Sequence, residues 1–430
     1  MGGLMSVQSF VADEIAGRPI ETADGGPSAD GSLSAYAHRH LRHAAASFME
    51  ADHPEAVWSG VLHSTYCLPI DELKRDFERR GRSFTNFASL DYLGLAEDAR
   101  VKQATCEAIQ RFGLGSGASR LVGGERSVHS ALEAAVADFV GVEDTLALVS
   151  GFMTNVSLVG HLLGRRDLII ADELAHNSIL LGGQLSNSPM VRFAHNDLDA
   201  LADILASRRR QVGKVLIAVE GLYSMDGDIP DLPRLLALKD RYDAWLMIDE
   251  AHSIGVLGKT GRGITEHFKV DPGRVDIIMG TLSKALGACG GFIGGTHKLT
   301  EWLRFSLPAF IFTVGLPPAV AVGAHEALSI LRAEPWRVAR VQQNSALFLR
   351  KARARGFDTG PAIGAGIVSL YFRDHESCRA ASHAALEAGF YAPPIAQVGV
   401  PKAKPRVRFF INARHTEEQI TAVLDILAAQ

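Results

Sequence analysis

The sequence predicts a three-layer α/β/α domain built on a mostly parallel sheet, followed by a smaller C-terminal α+β domain. Three observations predict it. Short apolar runs without alternation recur from about residue 84 onward, as expected for parallel strands buried on both faces. Helical stretches separate them. Beyond Pro317–Pro318 the pattern changes to a long helix and weaker strands.

The strand candidates in order are TLALVS (145–150), LIIA (168–171), KVLIAV (214–219), AWLMI (244–248), DIIMG (276–280) and GFIGG (291–295). Runs such as RSVHSALEAAVADFVG (126–141) and DLPRLLALKDRYD (231–243) supply the crossover helices. The large domain is placed at residues 111–318 and the small one at 319–430. The small domain opens with the helix AVAVGAHEALSILRAE and contains strands at GIVSLYF (366–372) and RVRFFIN (406–412). Ahead of these lie an N-terminal segment (61–110) and an N-terminal extension (1–60). The extension carries a polar Gly/Pro/Ser-rich linker at 21–32 and an amphipathic helix at 33–51. His38, His40 and His43 on that helix read as a solvated face, because no cysteine or tight acidic cluster completes a metal site.

Composition narrows the function. The chain has 430 residues, 47% of them apolar, which excludes a largely disordered protein. Its 44 basic and 48 acidic residues give a net charge of −4, with no basic surplus for nucleic acid. Four scattered cysteines without a CxxC fit a reducing compartment, and no metal site is expected. The N-terminus shows no secretory signal, so a cytoplasmic location is expected. The uncharged run 305–324 reaches membrane-spanning length, but Pro308, Pro317 and Pro318 interrupt it, and it reads as buried core.

Ligands of an open parallel sheet bind at the carboxyl ends of its strands. There the sequence places Gly151 and Phe152, Asp172 to His176, Glu220 to Ser224, Asp249 to His252, and Thr281 to Lys284. One such residue alone is a cap or a solvated charge, but five converging strand ends suggest a site. The chemistry that needs this set is pyridoxal phosphate catalysis. A lysine must form a Schiff base with the cofactor, and a carboxylate must keep the pyridine nitrogen protonated. Backbone amides at a helix start must hold the phosphate. Lys284, followed by small residues, suits the first role and Asp249 the second.

GTLSKALGACGGFIGG (280–295) and IDEAHSIGVLGKTGRG (248–263) resemble the α-oxoamine synthases, pyridoxal phosphate enzymes of fold type I. The likeness runs in order from residue 84 to 430. It includes DYLGL (91–95), GLGSGASR (113–120), His129 to Glu133, SGF (150–152), DELAHNS (172–178), EGLYSMDGD (220–228), LPP (316–318) and RVRFFINARHT (406–416). The resemblance implies homodimers with shared active sites that condense an amino acid with an acyl thioester, carried by coenzyme A or a carrier protein, with loss of CO₂. It implies Lys284 as the Schiff-base lysine and general base and Asp249 as the partner of the pyridine nitrogen. It also implies His176 stacked on the ring and His252 and Ser224 near the phenolic oxygen. Ser150, Gly151, Phe152, Thr281 and Ser283 fall at the phosphate, and Arg408 at the substrate carboxylate.

Two positions depart from the family pattern. The asparagine usual beside the Tyr-Leu-Gly motif is replaced here by Leu90 and Asp91, which bears on recognition of the amino acid. The hydroxyl that reaches the partner subunit's phosphate falls at Thr313, one position early. In wording, DELAHNSILLGGQLS and the stretch from 219 to 263 are similar to serine palmitoyltransferases. Serine is therefore the favoured amine substrate, with peripheral membrane association for a lipid product. The alternatives are an 8-amino-7-oxononanoate synthase, a 2-amino-3-ketobutyrate ligase or a carrier-protein-dependent relative, and less so an aminotransferase. A non-catalytic partner subunit would lack Lys284.

Overall fold

The computed structural model describes residues 69–395 and 405–430. The expected N-terminal helix and its three histidines lie outside the described residues. The large sheet has seven strands: β1 (Asp144–Leu148), β2 (Leu168–Asp172), β3 (Met190–Phe193), β4 (Val215–Glu220), β5 (Trp245–Asp249), β6 (Ile277–Thr281) and β7 (Gly291–Gly295). Their spatial order is β1-β7-β6-β5-β4-β2-β3. Only β7 runs antiparallel to its neighbours.

The apolar runs lack alternation because both faces of this sheet are buried. Ile217 and Val219 of β4 enter one core, together with Ile170, Ile248 and Phe292. Leu216 and Ala218 enter the other, with Ile169, Met247 and Ile293. A side-chain period of two thus feeds two cores from one strand.

The C-terminal sheet has three antiparallel strands, β8 (Ile367–Tyr371), β9 (Pro394–Ile395) and β10 (Arg406–Phe410), with β10 in the centre. Its core holds Val368, Leu370, Val407, Phe409 and Leu424. Phe87, from the N-terminal segment, is fully buried in the same core, with its ring 5.5 Å from that of Phe409. Thr85–Asn86 pair in parallel with Phe390–Tyr391.

Two differences from the sequence reading follow from packing. The helix Pro318–Ala333 sends Ala321, Ala324, Leu328 and Leu331 into the large core, so position 319 is not where the cores divide. The division falls within the next helix, Trp336–Ala354, where Val338 and Val341 join the large core and Phe348 and Ala352 the small one. The run 305–324, read as buried core, is split among the end of helix His297–Ser306, the short helix Pro308–Ile311 and the start of helix Pro318–Ala333, and it exposes Phe305, Phe312 and Val314. Among the described residues no helix is long and apolar enough to cross a membrane.

The glycine-rich motif GLGSGASR serves as a brace. Arg120 is buried, pairs with Glu133 and Glu125, and lies over the Phe310 ring at 5.1 Å. Arg304 reaches the other oxygen of Glu133 at 3.0 Å. Ser116 Oγ donates to the Leu316 carbonyl at 2.8 Å, and His129 Nε2 lies 2.6 Å from the same oxygen. These bonds satisfy polar groups that burial would otherwise penalise, and they pin the LPP turn beside the site.

Candidate active site

The carboxyl ends of β1, β4, β5 and β6 open onto one cavity of about 260 Å³. Among its lining residues are Ser150, Phe152, Asn155, His176, Glu220, Asp249, His252, Thr281, Ser283 and Lys284. Helix α1 (Gly151–Leu162) begins there. Ser150 caps it, its hydroxyl accepting from the Met153 amide at 3.3 Å. The amides of Gly151 and Phe152 lie in the first turn, where no intrahelical acceptor exists, and the helix dipole favours an anion. Thr281 and Ser283 flank this turn, with their hydroxyls 2.7 Å apart. A Cβ on residue 151 would stand 2.9 Å from Thr281 Oγ1, so glycine keeps the cradle open.

Lys284 sits in the loop between β6 and β7. The loop is closed by Leu282 N to Gly290 O at 3.0 Å and Ala288 N to Leu282 O at 2.9 Å. Gly287 has φ +61° and packs against the backbone of Ala96, where a Cβ would meet the nitrogen at 2.5 Å. This explains the small residues after the lysine. Burial lowers the Lys284 pKa to about 8, although Asp249 and Glu220 pull the other way. The Lys284 carbonyl accepts from the Gly287 amide at 2.9 Å, while its side-chain amine makes no hydrogen bond or ion pair among the described residues and is available for covalent chemistry.

Asp249 ends β5, 4% exposed. Its Oδ1 accepts from the Ala251 amide at 2.9 Å, and its Oδ2 from Asn155 Nδ2 at 2.7 Å. Asn155 also donates to Ser178 Oγ at 2.9 Å, and that hydroxyl lies 2.6 Å from His176 Nδ1. One chain of bonds therefore fixes both the carboxylate and the imidazole. Burial lowers the His176 pKa, and that of His252 still further, so both rings are neutral near pH 7. Burial keeps the Tyr92 hydroxyl protonated, and it lies in hydrogen-bond contact with His252 Nδ1 at 2.8 Å.

Glu220, in register with Asp249 on the neighbouring strand, is 2% exposed. Its Oε2 accepts from the Ser224 amide at 3.1 Å, and its Oε1 is buried without a partner. Burial, with Asp249 nearby, raises its pKa well above the usual carboxylate range. Arg408, on β10, donates to the Ser224 carbonyl at 2.9 Å and lies over the Phe410 ring at 4.6 Å. Its Nε is buried without a partner.

The profile of the aminotransferase class I and II family matches residues 82–427. An 8-amino-7-oxononanoate synthase of Symbiobacterium thermophilum is 39% identical over 86% of this chain and 95% of its own length. The chain belongs to the aminotransferase class I and II family, as one of its α-oxoamine synthases. Other curated relatives, such as that of Fervidobacterium nodosum at 39% identity, carry the same enzyme name. Among solved structures, the serine palmitoyltransferase of Sphingomonas wittichii superposes with a TM-score of 0.77 at 31% identity, covering 81% of this chain and 87% of its own. The 8-amino-7-oxononanoate synthase of Francisella tularensis gives 0.71 at 28%, covering 81% and 97%. This α-oxoamine synthase is therefore a pyridoxal phosphate-dependent acyltransferase.

The residues present fit that cofactor. The anion cradle at α1, the unpartnered amine of Lys284 and the fixed carboxylate of Asp249 lie on one cavity. Most residues expected from the sequence meet there. Arg408, Asp91, Leu90, Ser224 and Thr313 are not among its lining residues. Asp91 turns its carboxylate into its own turn, accepting from Leu95 N at 2.8 Å and Ala96 N at 3.1 Å, so it does not face a substrate carboxylate. Leu90 packs against the large core. Ser224 contributes its backbone, to Arg408 and Glu220. The Thr313 hydroxyl donates to Ala309 O at 2.5 Å within its own turn.

Sequence reasoning placed Glu220 at a strand end without a role, included Ser178 and Tyr92 only inside the motifs DELAHNS and DYLGL, and overlooked Asn155. Asn155 follows SGF by three positions, one helical turn, and that spacing was the available signal.

Proposed function

We propose that this α-oxoamine synthase condenses alanine with an ω-carboxyacyl thioester, as an 8-amino-7-oxononanoate synthase does. What carries the reading is that curated relatives at 37–40% identity have this name. The product they name divides chemically into two parts. Carbons 8 and 9 with the amine are alanine less CO₂, and carbons 1 to 7 are a seven-carbon acyl group with a terminal carboxylate. These relatives displace the preference for serine drawn from sequence wording. The structure supports a small apolar side chain too, since Leu90 offers no polar atom and both oxygens of Asp91 are engaged.

Bound pyridoxal phosphate supplies an electrophilic aldehyde and an electron sink for the carbanion at the amino acid's α-carbon. Lys284, largely neutral above pH 8, would hold the cofactor's aldehyde and would take up the substrate's α-proton. Asp249, held by Asn155, keeps the proton on the pyridine nitrogen. His176, neutral and fixed by Ser178, would hold the ring and orient the thioester carbonyl. His252, in contact with the Tyr92 hydroxyl, would hold the phenolic oxygen. Arg408 takes the substrate carboxylate; its Nη1 now meets the Ser224 carbonyl and Met225 Sδ, and its Nε is buried without a partner. The α1 turn, Thr281 and Ser283 bind the phosphate.

The working unit in this proposal is a homodimer. Exposed Leu114 and Val122 in one loop, with Phe312 and Val314 in the segment bonded to it, support that assembly. The free cysteines Cys106, Cys289 and Cys378 support a reducing, cytoplasmic setting.

Spectral titration of cofactor-loaded enzyme with alanine, glycine, serine and threonine tests the substrate. Alanine is expected to saturate at the lowest concentration. Saturation by serine alone would overturn the reading in favour of a serine palmitoyltransferase-type activity, which the structural likeness to the Sphingomonas enzyme supports.

A further inference from the structure

The segment Gly221–Asp228 spans the two cores as a strap. On the C-terminal side Ser369 Oγ donates to Met225 O at 2.6 Å, and Tyr371 OH donates to Asp226 Oδ1 at 2.5 Å. Arg406 also pairs with Asp226. Gly227, at φ +72°, lies so close to Ile367 that a Cβ would meet its carbonyl oxygen at 2.5 Å. The strap's Ser224 carbonyl accepts from Arg408.

On the other side His195 and its neighbour Asn196 hold it. His195 Nδ1 lies 2.9 Å from Asp172 Oδ1 at the end of β2, and His195 Nε2 lies 2.9 Å from Asp228 Oδ2 on the strap. With a carboxylate at each nitrogen, both nitrogens donate, which describes an imidazolium. Asn196 adds Nδ2 to Asp228 Oδ2 at 2.7 Å, and its amide donates to Asp172 Oδ2 at 2.9 Å. The Tyr223 ring meets His195 edge-on at 4.4 Å. Asp228 passes the hold inward, because its carbonyl accepts from Tyr223 N at 2.9 Å, one residue before Ser224.

We propose that His195 is a positioning residue for the amino-acid carboxylate site: by clamping Asp228 to Asp172 it sets the strap whose Ser224 carbonyl aims Arg408. This rests on the reading that Arg408 takes the substrate carboxylate. The groups facing the ring are Asp172 from β2, Asp228 and Tyr223 from the strap, and Asn196 and Glu173 beside it, Glu173 accepting from the His195 amide. The two carboxylates raise the His195 pKa to about 10. The clamp is therefore complete below pH 6.5, persists through neutrality and is lost as pH rises through about 10.

The test is His195→Gln in the cofactor-loaded enzyme, with KM measured for each substrate and amino-acid binding followed by calorimetry. The expected result is an amino-acid KM and Kd about tenfold higher, as for loss of one charged hydrogen bond. The thioester KM is expected to be unchanged. The variant-to-wild-type ratio closes toward one as pH rises through about 10, while titrations of Lys284 and the substrate amine are common to both proteins and cancel. An unchanged amino-acid KM, or an equal rise for both substrates with only a lower melting temperature, overturns the proposal. Should His195→Gln not fold, Asn196→Ala decides in the same way, with a smaller rise. Arg408→Lys separates the two readings. If it leaves the amino-acid KM at the wild-type value, the Arg408 assignment fails. If it raises that KM while His195→Gln does not, the positioning role alone fails.

Discussion

Lys284→Ala is expected to lower turnover by at least about a thousandfold, the upper range for loss of a positioned acid–base group, while the chain still folds. The substitution removes the cavity's one amine, and with it both the covalent hold on the cofactor and the base at the α-carbon. The long-wavelength absorbance of the loaded wild-type enzyme should disappear, and exchange of the substrate α-proton should stop. In the wild type the same group sets a pH dependence. Its pKa is lowered to about 8, so the rate limb governed by neutral Lys284 rises through that pH and flattens above it. An unperturbed lysine would place the limb above pH 10. A variant that exchanged the α-proton at the wild-type rate would remove Lys284 from the mechanism.

Asp249→Asn should cost on the order of 10²–10³ in kcat, the range for losing one preorganised electrostatic contact in a dry site, with little change in stability. The amide keeps the shape and can still meet the Ala251 amide, but it carries no charge to hold a proton on the pyridine nitrogen. Asn155→Ala should follow in the same direction with a smaller effect. It frees Asp249 Oδ2 and Ser178 together, and a hydrogen bond to a charged group is worth about 1.5–3 kcal/mol. That converts to roughly tenfold to a hundredfold. Steady-state rates with saturating cofactor would measure both. Wild-type kcat in Asp249→Asn would refute the electron-sink role.

How far the sequence reveals this site depends on what kind of bond each residue makes. Lys284, Asp249 and His252 follow strands directly, and the carboxyl end of a parallel strand locates them. The alternating destinations of Leu216 and Ile217 explain why the strands could be read from apolar runs alone. Asp91 could not be placed that way. An aspartate three residues before a glycine suits a turn and a site equally, and only the bonds to Leu95 and Ala96 decide. His195 carries no motif of its own. Its partners Asp172 and Asp228 lie 23 and 33 residues away, one at the end of β2 and the other on the strap after β4, and only tertiary packing brings them together. The helix at Pro318 was misplaced for a related reason. Proline marks where a helix starts, but not which core its apolar face enters.

Phe87 has a consequence for the order in which the protein assembles. It is made well before Phe348, Phe409 and Leu424, with which it shares the small core. The small core therefore cannot close until those residues have also been made, and until then this aromatic group is a sticky surface that chaperones and proteases can read. The strand pair at Thr85 and Phe390 acts as a late zipper that ties the N-terminal segment to the C-terminal domain. A chain cut short before the last helix should be cleared rather than partly active, because the N-terminal segment would be left waiting for a core that never arrives.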